Sequence, residues 1–174
     1  MLNHALIGLA LWFVSFSGIG QVVEVGEHGF VISVERTVAT SSEKAYQQFV
    51  EVKNWWSSEH TYFGDSKNLS IDARAGGCFC EIDGAKQVLH MTVSYVDPNN
   101  EIRMVGGLGP LQMMGVQGGM SWKFEKIDKK TTKIIHRYHV VGFLAGGLAK
   151  IAGAVNQVQT LQVDRLVKRI ESQN

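Results

Sequence analysis

Apolar residues recur along this chain with two periods. From Phe30 to Val38 they alternate with polar residues, placing Phe30, Ile32, Val34 and Val38 on one face, which predicts a strand. Thr40-Ser41-Ser42-Glu43 matches a capping box, and Ala45, Tyr46, Phe49 and Val50 follow at helical spacing, so a helix comes next. A short second helix is expected around Trp55-Trp56, before a strand at Leu69 to Asp72. From Gly77 the period is two again, broken by turn signals at Asp83-Gly84, Asp97 to Asn100 and Asp128 to Lys130. The runs between are Cys78 to Asp83, Gln87 to Val96 with Leu89, Met91, Val93 and Tyr95 on one face, Ile102 to Val105, a strand carrying Met120, Trp122 and Phe124, and Thr132 to Val141. Together they predict an antiparallel meander. Gly146 to Ser172 then reads as one long amphipathic helix, with Leu148, Ile151, Val155, Val158, Leu166 and Ile170 forming its apolar stripe. The Gly- and Ala-rich first half of that helix is suited to lie close to a sheet or to leave space beside it.

The chain has 174 residues, 45% hydrophobic and 19% charged, enough for one domain with a sizeable core. A formal net charge of +1 without any block of like charges argues against nucleic acid as a partner. Leu6 to Phe16 is almost wholly apolar, and no Lys or Arg precedes Arg36. Residues 1–20 therefore read as a signal peptide cleaved before Gln21, with 21–29 a short lead and 30–172 the domain. The product is then periplasmic or secreted, with no stable membrane span after signal removal. The alternatives are an uncleaved anchor or an apolar first element, although the run is short of the roughly 20 residues that cross a bilayer.

Two cysteines are present, Cys78 and Cys80, on the same face of one strand. Such neighbours stand about 7 Å apart in a regular strand, too far for a disulfide, so they are expected to be small buried hydrophobes. A metal site is the sharper alternative, but no second ligand pair stands at zinc-site spacing, and no metal is expected.

The element order is that of an α+β helix-grip fold. The opening strand and capped helix, the Trp55-Trp56 pair, Gly76-Gly77, the Val93 to Pro98 strand and turn, and Thr131-Thr132 resemble the SRPBCC superfamily of START domains, birch-pollen-allergen-like proteins and polyketide cyclases. The segments WWSSEHTY, AGGCFCE and GLGPLQ look most like those of bacterial exported members. The resemblance covers residues 30 to 172. It implies a curved antiparallel sheet of six or seven strands around the long C-terminal helix, two short helices after the first strand, and an apolar cavity between sheet and helix. It implies no single reaction, because this fold serves carriers, cyclases, hydrolases and regulators.

Candidate ligand contacts come from several segments. Trp55, Trp56, His60 and Tyr62 sit in a stretch otherwise composed like a loop, so they are candidates to cap a ligand. At least one of the two tryptophans is expected to close the core instead. The Gly106 to Gly119 loop combines glycines with Leu108, Leu111, Met113 and Met114, a composition fit for a gate over an apolar ligand or for packing on the protein's own core. Met104, Met120, Trp122, His136 and Tyr138 are candidates on the strands, and Gln159 and Gln162 interrupt the apolar stripe of the helix. The bland reading of each histidine is a satisfied structural residue. His90 alternates with Leu89 and Met91, so it is expected to face away from them, and Glu81 is the most plausible carboxylate partner for a strand histidine.

The leading expectation is a cofactor-free protein, monomer or homodimer, that binds a small hydrophobic or amphipathic ligand. A cyclase- or hydrolase-type enzyme using His60, His136 or Tyr138 is the alternative, with no catalytic residue assigned. No standard catalytic fingerprint supports it. A protein-interaction module is the third reading.

Overall fold

The computed structural model describes residues 20–173, so the signal segment expected over residues 1–20 lies, except for Gly20, outside the described residues. The elements in chain order are β1 (Gln21–Val25), β2 (Gly29–Val38), α1 (Ser42–Val50), β3 (Leu69–Ile71), β4 (Cys78–Asp83), β5 (Lys86–Asp97), β6 (Glu101–Val105), β7 (Gln117–Lys126), β8 (Thr132–Val141) and α2 (Ala149–Glu171). The strands form one antiparallel sheet in the order β1-β2-β8-β7-β6-β5-β4-β3. Its inner face carries α1 and α2 in a helix-grip arrangement.

The sheet has eight strands rather than six or seven. One strand absent from the sequence reading is β1, which pairs with β2 from Gln21↔Ser33 to Val25↔Phe30. It is an edge strand, almost entirely exposed, and therefore lacks the inward apolar alternation by which strands are recognised. The expected second helix is instead a series of single 3₁₀ turns at Val52–Asn54, Ser58–His60 and Ser66–Asn68.

The cap of α1 is Ser41, whose hydroxyl accepts from the Lys44 amide, rather than Thr40. The Thr40 carbonyl is taken by the Thr132 hydroxyl at 2.7 Å, fixing the helix start to β8. At the other end, α2 begins at Ala149 rather than Gly146. Gly146 and Gly147 have φ of +84° and +86°, a left-handed conformation that cannot continue into a helix and that favours glycine. The turn is closed by the Leu148 amide donating to the Glu27 carbonyl at 2.9 Å.

The strand β5 departs most from simple alternation. Its pairing with β4 runs Phe79↔Met91 and then Cys80↔Leu89, leaving His90 unpaired in a bulge. A second irregularity lies between Val93 and Tyr95. The inward phase switches at each, so His90, Met91 and Val93 are buried while Leu89 and Tyr95 are exposed. His90 thus shares the interior with Met91, against the expectation from period two.

The same register shift accompanies the second correction. Cys78 and Cys80 form a disulfide, which a regular strand would not permit. Their Cα atoms stand 5.4 Å apart, closer than the roughly 7 Å spanned by two strand rises. Both cysteines are half-buried, on the face opposite Phe79 and Glu81, so they are not core hydrophobes.

Candidate functional site

The inner face of the sheet is filled toward one end of α2. Phe49, Trp55, Trp122 and Phe124 interlock there, with Phe49 to Trp122 ring centroids 5.0 Å apart and Trp55 to Trp122 5.8 Å. Val163, Leu166 and Ile170 cover them from the helix. Arg165 secures this end by donating from Nε to the Trp55 carbonyl at 2.7 Å, and Arg36 of β2 pairs with Asp164 at 2.8 Å. Toward the start of α2 the packing stops. Ile151, Val155 and Val158, on the same apolar stripe, are only half-buried and face a cavity of about 400 Å³, within the usual range for small-molecule sites.

Apolar side chains make up most of the wall. Trp56 and Phe79 meet edge to face at 5.3 Å on the β4 side, and Leu108, Leu111 and Met114 come from the long β6–β7 loop. That loop is pinned by Tyr138, whose hydroxyl accepts from the Leu108 amide at 3.1 Å and donates to the Gly106 carbonyl at 3.4 Å. Gly118 leaves room for this arrangement, since a Cβ there would meet the Tyr138 ring at 2.5 Å. Burial pushes the Tyr138 phenol up to about 12, although the Leu108 bond opposes the shift. Tyr138 is therefore a neutral anchor of the loop with its hydroxyl already engaged. The loop divides between its two expected roles: Leu108, Leu111 and Val116 pack inward, whereas Met113 is 88% exposed and Met114 40%.

Polar groups enter the wall through two networks. In the first, the Gln162 carbonyl oxygen accepts from the Ser57 amide at 2.9 Å and its Nε2 donates to His60 Nδ1 at 2.8 Å. The His60 carbonyl in turn accepts from Trp56 Nε1 at 2.9 Å. These bonds fix the Trp56 to His60 turn against α2 and leave His60 with its proton on Nε2. The second network centres on Glu81, which is fully buried. Its carboxylate accepts from the amides of Tyr62 at 2.9 Å and Phe63 at 2.7 Å, and lies 3.2 Å from His90 Nε2. Burial lowers the His90 pKa, with the Glu81 bond and charge opposing the shift.

His136 belongs to neither network. It stacks on Trp122 at 4.1 Å between centroids, and its Nε2 is 2.9 Å from the Gln159 carbonyl oxygen. Burial brings its pKa down to about 4, against the opposing Gln159 bond, so the ring is neutral near pH 7.

Of the residues singled out from sequence, the structure brings Trp56, His60, Tyr62, Leu108, Met114, Tyr138 and Gln159 to the cavity wall. Trp55, Met104, Met120, Trp122, His136 and Gln162 sit behind it in the packed interior, and Met113 points out from the loop. The adjacent tryptophans divide as their opposite directions suggest, Trp55 into the core and Trp56 to the cavity. Sequence reasoning left Phe79 and His90 out of the site and brought in Glu81 only as a carboxylate partner for a strand histidine, a pairing that the structure makes with His90 at 3.2 Å. Phe79 and Glu81 were legible as one inward face of β4, where an acid among apolar residues is unusual. His90 was not, because a bulge turns it inward.

No family model matches the chain, and no curated protein matches it. Solved structures do. A protein from Rhizobium leguminosarum superposes with a TM-score of 0.59 at 19% identity, over 83% of this chain and 95% of that one. Ara h 8.0201 matches with a TM-score of 0.55 at 14% identity, over 83% and 99%. The Zhui aromatase/cyclase from Streptomyces sp. R1128 matches at 0.52 and 14%, over 83% and 94%. At these identities the likeness is one of fold alone.

Proposed function

We propose that this protein binds a small apolar or amphipathic molecule in the cavity between the sheet and the first half of α2. The carrying observation is the contrast within one continuous inner face: aromatic packing on one side, and on the other about 400 Å³ lined by Trp56, Phe79, Leu108, Ile151 and Val155. Burial of a ligand's apolar surface against that wall supplies the affinity, and the few polar groups set its orientation. Native mass spectrometry of the purified protein tests this. A co-purifying small molecule that is lost in Val158→Trp, where the new ring fills the cavity, supports the reading. Failure to take up any molecule from a lipid extract or from a panel of aromatic compounds would sink it.

A second reading, an acid-base enzyme of the cyclase or hydrolase type, draws support from His90 at the cavity wall, with the buried Glu81 carboxylate 3.2 Å from its Nε2, rather than from His136 or Tyr138. Turnover that survives His90→Gln would rule it out.

Export to the periplasm or the medium is the compartment we propose. The apolar N-terminal run supports it, as does the Cys78–Cys80 disulfide, a bond that persists in oxidising compartments. Among the described residues no helix is long and apolar enough to cross a membrane.

A further inference from the structure

The chain's two cysteines form a disulfide to which the binding reading gives no part. The bond closes a loop over a single intervening residue, Phe79. The entropy that a disulfide removes from the unfolded chain grows with the length of the loop it closes, so a loop this short adds little to the stability of the fold. The sheet around it is also paired without it. Cys80 faces Ser70 on β3 and Leu89 on β5, and Cys78 pairs with Thr92 while its carbonyl accepts from the Asp72 amide at 2.9 Å. A bond that joins nothing distant calls for a role other than a staple.

Its position combines access with a connection to the cavity. Both side chains stand on the outer face of the sheet, away from the two helices, where Ser70, Ile82 and Leu89 are exposed. The backbone of each cysteine lies inside the ladder, so the exposed part of these half-buried residues is the side chain. Accessible disulfides are the ones that exchange with thiols. On the inner face, Phe79 between the cysteines lines the cavity, meeting Trp56 at 5.3 Å and His90 at 5.0 Å between centroids. The bulge that turns His90 inward falls at the same step of the ladder, between Phe79 and Cys80. Closed, the bond holds the cysteine Cα atoms 5.4 Å apart; open, the segment is free to extend toward the roughly 7 Å of a regular strand and to carry Phe79 with it.

We propose that Cys78–Cys80 is a redox-active site, opened by thiol reductants and reclosed by disulfides, whose state sets the position of Phe79 in the cavity wall. A thiolate of the reductant attacks one cysteine sulfur, forming a mixed disulfide and releasing the other cysteine, which takes up a proton. A second thiol, from the same dithiol or from another molecule, attacks the reductant's sulfur in the mixed disulfide and frees the remaining cysteine. The protein gains two electrons and two protons, and the reductant leaves as its disulfide. The site and its link to Phe79 stand whether or not the cavity holds a ligand.

Glutathione buffers of graded reduced-to-oxidised ratio, at neutral pH and without denaturant, test this. Tagging with N-ethylmaleimide followed by intact mass reads the bond, and circular dichroism reads the fold. We expect two tags per chain to appear together in the most reducing buffers with the dichroism unchanged, and to be lost again when oxidised glutathione is restored. In the same ligand-free samples the methyl resonance of Met91, which pairs with Phe79 across the ladder, should move in step with the tags while that of exposed Met113 stays in place. Cys78→Ser combined with Cys80→Ser should hold Met91 at its reduced position; if the serines themselves prevent folding, the wild-type titration still decides. A bond that stays closed in excess reduced glutathione and opens only in urea, or whose opening unfolds the protein, overturns the redox site and makes the disulfide structural. Opening that leaves the Met91 resonance in place overturns the link to the cavity wall.

Discussion

Two stretches of α2 lie against the same sheet and do opposite things. Around Val163, Leu166 and Ile170 the helix is buried against Phe49, Trp55, Trp122 and Phe124, and arginines at 165 and 169 tie it to Trp55 and Gln48. Around Ile151, Val155 and Val158 it presents equally apolar side chains that remain half-buried beside a cavity. The difference lies in what faces the helix. Large aromatics fill one half, while the other is walled by a pinned loop and a turn that hold their places without closing the gap. Gln159 and Gln162 mark the boundary, each spending its oxygen on a partner outside the helix. Apolar patterning alone therefore does not separate core from ligand surface; the opposing residues do.

The sharpest way to break this comparison is to make similar-sized changes on both sides. Trp122→Ala should cost about 3–5 kcal/mol in urea unfolding, as for other buried tryptophans. Val158→Trp should change stability by less than about 1 kcal/mol, because the added ring enters empty space, yet it should abolish uptake of apolar probes. Similar losses of stability in both would mean that the two halves are packed alike.

Acid should act next most strongly, through His136 in the filled half. Its imidazole takes up a proton near pH 6.5 when unfolded but only near 4 when folded. The unfolded chain binds more protons in that window, so stability falls as pH drops from about 6.5 to 4, by about 3 kcal/mol. His90, shifted the same way, adds to the slope. Urea midpoints across this range in wild type and His136→Leu should show a shallower slope in the variant.

Gln162→Leu sharpens the boundary itself. It leaves the buried Ser57 amide and His60 Nδ1 without their partner, at a cost of about 1–3 kcal/mol. Hydrogen exchange should rise at residues 57–60 and stay unchanged in β8.

How far all this was legible in the sequence differs between the halves. The filled half follows from periodicity: Phe124 and Trp122 alternate on β7, Ile134, His136 and Tyr138 on β8, and Val163, Leu166 and Ile170 lie on the buried face of α2. The cavity's membership follows less directly, because two of its determinants are not periodic. His90 faces inward through a bulge, whose position depends on pairing with β4. Tyr138 serves the loop through its hydroxyl, which alternation does not reveal. The Cys78–Cys80 bond depends on a local contraction of β4 that strand geometry averages away. The strand β1, at a sheet edge with little apolar signal, was hidden for the simplest reason: it buries almost nothing.

The most direct test of the contrast uses the methionines as reporters, with methyl NMR during titration by 2-naphthol. Met114 lines the cavity, Met91, Met104 and Met120 lie buried in the sheet interior, and Met113 points into solvent. A ligand in the open half should shift the Met114 methyl resonance saturably while leaving Met104 and Met113 in place. Shifts confined to Met113, or no saturable shift at Met114, would contradict the assignment of this cavity as the binding site.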